Sequence, residues 1–561
     1  MKNEKITGGN WWDQLGEPQY GGEMVIRANR NIVSFDPYIT ENFANIYSAW
    51  MERLLSDDWT LNPAIFDYKT HWHPSKYMKG QLAENWEFKD PYTHVVHLRE
   101  GIRWQNMPPA NGREFISDDV VFHFNRLCGL GGNFTKPSSP PAPGLQDLIS
   151  VYAVDKYTVV FKFKTPNPEL IMETLNKVYP SLCMENPDAV EKWGNLNDWH
   201  HAIGTGPFIL RYFVPGSLAI LMKNSNYWAH DERYPKNQLP YIDTIKYQII
   251  PDDDIALEAM RAGNIDILDL VMPLQAQLLR KTNPEILQIP HPNSDAFTLE
   301  PRNDKSPFND ITVRKAMQLA IDLPTIAKSY YRGTVEPYPV MLTSRYMKGW
   351  GFPYEQWPQD LKDEYAYNPT MAKTLLAKAG HSEGFKTNVV TDAVKDLDLL
   401  KIVQSYFNQV NIDMEINVMD AASFAAFIQK GRKHDQLVHH PPGPLGHTAS
   451  PFLELTRFLK GEDNLAMVDD PIFNSFLPKA IATTSVDKLK GIIKDANEYV
   501  ARQHFTISLL QPMYYSLCQP WIKGFNGQHG STWGYTGGPG MLGFYLSRFW
   551  IDSELKKSMR K

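Results

Sequence analysis

What most restricts the fold of this chain is a regular switch between two hydrophobic periods. In the C-terminal half the pattern predicts helix 312–320, helix 369–379 stopped by Gly380, strand 387–391, helix 397–409, strand 413–418 and helix 422–430. Apolar residues three and four apart need a helix with one buried face, and apolar alternation needs a strand. Strands and helices interleaved in this way bury both faces by building mixed sheets flanked by helices, the α/β class. The N-terminal half uses the same elements. Strand text occurs at 22–27, 93–99, 157–164, 208–213, 244–250 and 265–268, with a short helix at 45–55. Ser117-Asp118-Asp119 offers an N-cap to a helix over 120–127, and Gly263 a C-cap to one over 255–262. Pro137, Pro140, Pro141 and Pro143 make 129–144 a long loop. No internal repeat interrupts this order.

With 561 residues, the chain holds three to four domains at ~150 residues each. A net charge of -6 gives no basic footprint for a nucleic-acid partner. No run reaches the ~18 apolar residues of a membrane span. Three cysteines, Cys128, Cys183 and Cys518, leave room for one disulfide at most and match no zinc spacing. The 12% aromatic content, with 15 Trp and 27 Tyr, suits either aromatic cores or platforms around a ligand cleft.

Catalytic signatures are missing from the text: no nucleophile elbow, phosphate loop, paired-histidine zinc helix or EF-hand loop. Gly204-Thr205-Gly206 lacks the third glycine and the following helix of a dinucleotide site. Histidines cluster at His71 and His73, at His200 and His201, and at His439, His440 and His447. Such spacings can chelate a metal, but surface and core histidines are commoner. Asp252-Asp253-Asp254 reads as a helix N-terminus rather than a cation site.

Several segments together resemble the family 5 extracellular solute-binding proteins of ABC importers. The first is Gln81-Leu82-Ala83-Glu84-Asn85-Trp86-Glu87, then His97-Leu98-Arg99-Glu100-Gly101-Ile102-Arg103-Trp104, then Gly112-Arg113-Glu114-Phe115 and Ser117-Asp118-Asp119-Val120-Val121-Phe122. Gly204-Thr205-Gly206-Pro207-Phe208 follows, then Leu257, Gly263 and Asp266 within 256–268. Pro307-Phe308 leads through Val313-Arg314-Lys315-Ala316 to Ala320-Ile321-Asp322, and Tyr367-Asn368-Pro369 through Ala372, Leu376 and Ala379-Gly380 to Gly384-Phe385. The segments keep the family's order from about residue 21 to 550.

The resemblance implies a two-lobed periplasmic-binding-protein-like fold (type II, in its large three-domain form). Lobe one would comprise 21–65, 200–290 and 510–561, with a subdomain inserted at 66–199, and lobe two 291–509. Arg99 and Asp119 would be fold-keeping residues. The implied function is capture of a small organic ligand by hinge closure and delivery to a membrane permease, with no cofactor, no metal and no catalysis, by a monomer. The location would be periplasmic or cell-surface, with a lipid anchor. The N-terminus shows neither an anchoring Cys nor an apolar leader, so the expectation is that a leader has been trimmed.

Peptide-binding members place an Asp in lobe two, in a Trp-containing segment before an Asp-Pro, against the peptide's α-ammonium. The matching stretch here, 435–452, has no Trp and no Asp after Asp435, and carries His439, His440 and several prolines instead. A buried ammonium without a counter-charge is costly. The expected ligand therefore lacks a free α-amine or meets another carboxylate: an anionic or aromatic compound, an oligosaccharide or a modified peptide. By analogy, the ligand contacts expected are Asn42, Trp350, Trp357, His439, His440 and Trp533. A nickel-type metal carrier using the histidine clusters and a cleft hydrolase are the alternatives.

Overall fold

In the computed structural model of the chain, residues 10–38, 46–66, 73–138, 144–176, 182–292, 298–343, 346–392, 396–430, 432–440, 450–461, 464–525 and 542–560 are described. The chain divides into two compact units, Met1–His291 with Tyr514–Lys561 and Pro292–Met513. Residues 66–199 fall inside the first unit.

In the first unit, β1 (Glu23–Ala28) is the parallel partner of a later strand, in a register pairing Glu23 with Thr244. Next in the chain come β2 (Ala83–Asp90), β3 (Thr93–Leu98), helix α1 (Ser117–Cys128), β4 (Leu148–Asp155) and β5 (Thr158–Phe163). These four strands form an antiparallel sheet in the order β2-β3-β5-β4, with α1 packed on β4 and β5. β6 (Phe208–Val214), β7 (Leu218–Lys223), β8 (Thr244–Ile249), α2 (Asp253–Arg261), β9 (Ile267–Val271), β10 (Leu287–Pro292) and, far along the chain, Met513–Cys518 complete the unit. The sheet of seven runs β10, Met513–Cys518, β9, β1, β8, β7, β6.

The second unit holds β11 (Thr298–Pro301), α3 (Ile311–Leu319), α4 (Pro369–Lys378), β12 (Phe385–Asp392), α5 (Leu397–Asn408), β13 (Ile412–Met419), β14 (Leu437–His440), α6 (Val486–Gln503) and β15 (Ile507–Ser508). With Met513–Cys518 as β16, the list of principal strands is complete. The five-stranded sheet is ordered β13-β12-β14-β11-β15. β12 and β13 are parallel, Phe385 opposite Ile412, so the connection between them must cross over, and α5 supplies the crossover. This is the interleaving that the sequence pattern demanded.

The signature segments are scaffolding. Asp119 accepts hydrogen bonds from Trp104 Nε1 at 3.1 Å, from Arg113 Nη1 at 2.9 Å and Nη2 at 2.6 Å, and from the Ile116 amide at 3.0 Å. The residue that precedes α1 is thus Ile116, and Asp119 reaches back to its amide. Ser117, expected as the cap, instead donates to the Asp155 carbonyl at 2.6 Å. Arg99 Nε donates to the Gln81 carbonyl at 2.9 Å. Gln81 Nε2 donates to the buried Glu52 carboxylate, which also accepts from Tyr227 Oη at 2.8 Å and Trp228 Nε1 at 3.0 Å. Gly204 and Gly206 are required by packing: a Cβ on Gly204 would sit 1.6 Å from the Trp50 carbonyl oxygen, and one on Gly206 2.8 Å from it. The backbone carbonyls of the expected helix at 45–55 are used elsewhere: that of Trp50 accepts from the Gly206 amide at 2.9 Å and that of Leu54 from the Gln81 amide at 2.9 Å. Among the described residues the segment forms one 3-10 turn, Tyr47–Ala49, and enters the short strand Leu55–Asp57.

Other local expectations hold with small shifts. Asp252 caps α2 through the Ile255 amide at 2.8 Å, which accounts for the triple-Asp run. The expected helix at 422–430 is an α-turn, Ala421–Ala425, continued by a π-helical turn, Ala426–Lys430. The first unit buries a large core that includes Trp50, Trp104 and Phe115, with smaller clusters around Met260 and around Tyr241. The second has a central core around Val389, Val403, Phe407 and Met414, plus a separate aromatic annex of Met341, Phe352, Trp357, Leu361, Tyr365 and Ala501.

Candidate functional site

The annex borders a pocket built almost wholly from one irregular stretch, 336–357, together with Gln511. The sequence keeps this stretch out of the sheet. Pro337, Pro339, Pro353 and Pro358 cannot donate to a ladder. Gly351 has φ +86°, and a Cβ there would lie 2.9 Å from Thr343 Cβ, so a side chain is excluded. Side chains of the neighbouring elements hold the loop instead. On the edge strand β15, Ser508 Oγ accepts from the Val340 amide at 2.9 Å and donates to the Val340 carbonyl at 3.0 Å. On α6, Asn497 accepts from the Thr343 amide at 2.9 Å and donates to Thr343 Oγ1 at 3.1 Å.

The lining is aromatic. Tyr338 and Tyr354 stack with ring centroids 4.6 Å apart at 15°. Tyr354 touches Trp357 at 5.2 Å, and Trp357 lies parallel to Phe352. Trp357 Nε1 donates to the Phe352 carbonyl at 2.9 Å, and Tyr346 Oη to Met513 Sδ at 3.3 Å. Burial, the neighbouring Tyr338 and Asp363 all raise the Tyr354 phenol above its ordinary range, so it remains a neutral hydrogen-bonding group. Glu336 is a carboxylate of the lining, and among the described residues no Lys, Arg or His lines the pocket. The ammonium of Lys362 lies 5.5 Å from the Tyr354 ring and that of Lys494 5.5 Å from the Phe352 ring. The interior volume is about 30 Å³, room for two or three waters at ~10–15 Å³ each, which fits one chemical group and not a whole solute.

Of the residues expected to touch ligand, Trp357 lines this pocket. Trp350 is buried nearby, with the Lys490 ammonium 5.5 Å from its ring, but it is not part of the lining. His439 lies on β14, fully buried, with Nδ1 3.3 Å from Thr391 Oγ1. His440 ends the same strand, opposite Thr298. Asn42 and Trp533 lie outside the described residues, as does most of the His/Pro segment after residue 440. Sequence reasoning missed Tyr338, Tyr346, Phe352 and Tyr354; the alternation of Pro with Tyr and Phe at 336–354 was the available signal.

Of the histidine clusters, His71 and His447 lie outside the described residues. His73 is buried against Asp57 at 2.6 Å, His200 sits on Asp198 at 2.6 Å, and His201 stacks on Trp193 at 3.9 Å. Among the described residues, no group of three or more His, Cys, Asp or Glu is arranged to hold a metal. Cys128, Cys183 and Cys518 are all free thiols.

Comparison with known proteins places this architecture. The profile of bacterial extracellular solute-binding proteins, family 5, middle region, matches residues 78–453. The chain belongs to this family.

As a family 5 member it is a solute-binding subunit of an ABC transporter, a class of protein that works outside the cytoplasm. Among its relatives are a heme-binding protein A of Haemophilus influenzae, 23% identical over 79% of this chain and 81% of the relative, and a glutathione-binding protein of Escherichia coli O1:K1, 23% identical over 90% and 91%. A solved periplasmic binding protein from Helicobacter pylori, in complex with the peptide STSA, shares the fold with TM-score 0.71 at 19% identity, over 95% of this chain and 99% of that one. The solved structure of NikA from Brucella suis, in complex with Fe(III)-EDTA, shares the fold with TM-score 0.70 at 17% identity, over 89% of this chain and 96% of that one. These are binding proteins. The fold is the two-lobed one expected, and among the described residues no helix is long and apolar enough to cross a membrane.

Proposed function

We propose that the protein is the ligand-capturing component of an importer for a small organic solute, and that the aromatic pocket of the second unit receives one group of that solute. The observation that carries this reading is the pocket itself. Its aromatic, proline-framed lining surrounds a space of one-group size on a loop held by β15 and α6 and not by a sheet ladder. Small-molecule sites are concave and mostly apolar, with a few polar groups that set orientation. Here Glu336, Gln511 and the tyrosine hydroxyls supply those groups. Trp357 is then a ligand-pocket residue, and Tyr338 and Tyr354 are its partners. The relatives' names span heme, glutathione, peptide and chelated iron, so the class of solute has to come from this chain's own lining.

The protein acts as a monomer that hands its solute to a membrane permease, held at the cell surface by a lipid anchor on the native N-terminus. It makes and breaks no bond in the ligand.

A thermal-shift screen against peptides, oligosaccharides, aromatic acids and divalent metals tests the reading. A solute that binds only the folded state, present at ~100 times its dissociation constant, adds ~2.7 kcal/mol of stability. The expected result is a shift with one organic class, the compound being recovered intact. Conversion of the compound, or a shift with metal ions alone, overturns it.

A further inference from the structure

The four-stranded sheet of the first unit contains a histidine that the binding function leaves unexplained. His94 is on β3 (Thr93–Leu98), an inner strand, and is fully buried. Both of its ring nitrogens are buried without a hydrogen-bond partner. A buried polar group without a partner is rare in a folded protein and costs stability.

The rings that meet it are aromatic. On β2 the ring meets Phe88, with centroids 4.5 Å apart, and on β5 it meets Phe161 at 6.3 Å. α1 presents Phe124, which packs edge-on against Phe161 at 4.9 Å. The charged residues of these elements are turned elsewhere. Glu84, Glu87, Lys89 and Asp90 on β2, Lys162 on β5 and Asp118 on α1 are exposed, and Asp119 on α1 is taken by Trp104 and Arg113. On α1, His123 is engaged with Glu185, and Arg126 with Asp36 at 2.8 Å. The second unit offers a contrast. Its buried His434 donates from Nε2 to the Leu465 carbonyl at 2.8 Å, and His504 Nε2 is 3.1 Å from the Glu364 carboxylate.

We propose that His94 is an acid-sensitive release point: proton uptake by its ring loosens the β2-β3-β5-β4 sheet and couples the state of the first unit to the pH outside the cell. An imidazolium cannot remain between Phe88 and Phe161 without a counter-charge, so taking up the proton requires the strands to part. Burial alone lowers the His94 ring from its ordinary 6.5 to about 4. The sign follows. The unfolded chain takes the proton near 6.5 while the folded sheet resists it to about 4, so stability is complete above 6.5 and is lost as pH falls from there toward 4. The 2.5-unit gap corresponds to a loss of up to ~300-fold in the folded-to-open ratio.

The test is hydrogen–deuterium exchange of the full chain at pH 7.5 and pH 5, corrected for intrinsic exchange rates, in the wild type and in His94→Phe and His94→Gln. Wild-type peptides covering 93–98 and 158–163 are expected to lose protection at pH 5 by more than tenfold. In His94→Phe that pH response is expected to vanish, while second-unit peptides around His434 and His504 keep the wild-type response. Equal wild-type protection of the sheet at the two pH values overturns the proposal, as does a pH response that survives in either variant. Should both variants fail to fold, histidine NMR of the wild type decides: a buried ring that titrates below 5 in step with loss of sheet protection supports the assignment, and a ring that titrates near 6.5 with the sheet intact removes it.

Discussion

The stretch at 81–122 and the loop at 335–357 are opposites. The first carries the strongest family resemblance, and its polar residues are spent on the fold: Asp119 ties Trp104, Arg113 and the start of α1 together, and Gln81 holds Glu52. The second lies between the resembling segments 307–322 and 367–385, joins no sheet and lines the pocket. Family membership is therefore written in residues that keep the scaffold, whereas the pocket proposed to receive the solute sits on a loop that the scaffold only holds in place. Four measurements can break or sharpen that contrast.

The largest expected effect is at Asp119. Its side chain is 4% exposed beside an Arg113 side chain that is 32% exposed. Asp119→Ala removes the carboxylate from Trp104, Arg113 and the Ile116 amide, and breaking a buried pair costs ~3–5 kcal/mol. Denaturant melts should show that loss, while the molecules still folded bind solute with unchanged affinity. A weakened affinity in the folded fraction would mean that the signature region does more than hold the fold.

Acid should expose the same division. Burial tends to raise the Glu185 carboxyl, but His123 and Arg126 outweigh it and hold it down at about 2, against an ordinary 4.5. A carboxyl depressed in the folded state contributes stability above 4.5 that is lost as pH falls through 2, here up to ~3 kcal/mol. Melts of the wild type and Glu185→Gln should differ at pH 5 and converge near pH 2. A constant difference across that window would show that the His123–Glu185–Arg126 cluster does not work as described.

In the loop the two effects exchange rank. Tyr354→Ala breaks the stack on Tyr338, a contact worth ~0.5–1.5 kcal/mol, so the melt should move little. Affinity for the solute found in the screen should fall by ~10-fold or more, measured by calorimetry. A large stability loss with intact affinity would make the pocket an ordinary piece of core.

The smallest effect belongs to a surface pair on the second unit. Lys386 and Asp413 are 3.7 Å apart with side chains 90% and 68% exposed. Asp413→Ala should change stability by no more than ~0.5 kcal/mol and affinity not at all. It sets the floor against which the other three are read.

Much of this molecule was legible from the text. The strand–helix–strand order of β12, α5 and β13 was expected from the alternation of periods, because a 3.6-residue stripe and a 2-residue stripe each demand their own element; that the two strands pair in parallel came from the structure. The Asp252 cap was legible for a local reason: the donor it satisfies is three residues away. Ser117 shows the limit of local reasoning, since its hydroxyl was claimed by the Asp155 carbonyl, 38 residues distant.

The sequence by itself determined the α/β class, the order of elements and the family, since these rest on periodicity and on short segments read in series. Tertiary structure alone decided which polar residues serve the fold and which face a pocket. His439 and Trp357 looked equally suited to a ligand as residue types. One is sealed inside β14 and the other lines a loop cavity, because burial depends on what the rest of the chain packs against each position. For the same reason His94 reads as an ordinary strand histidine until Phe88 and Phe161 are seen to close over it.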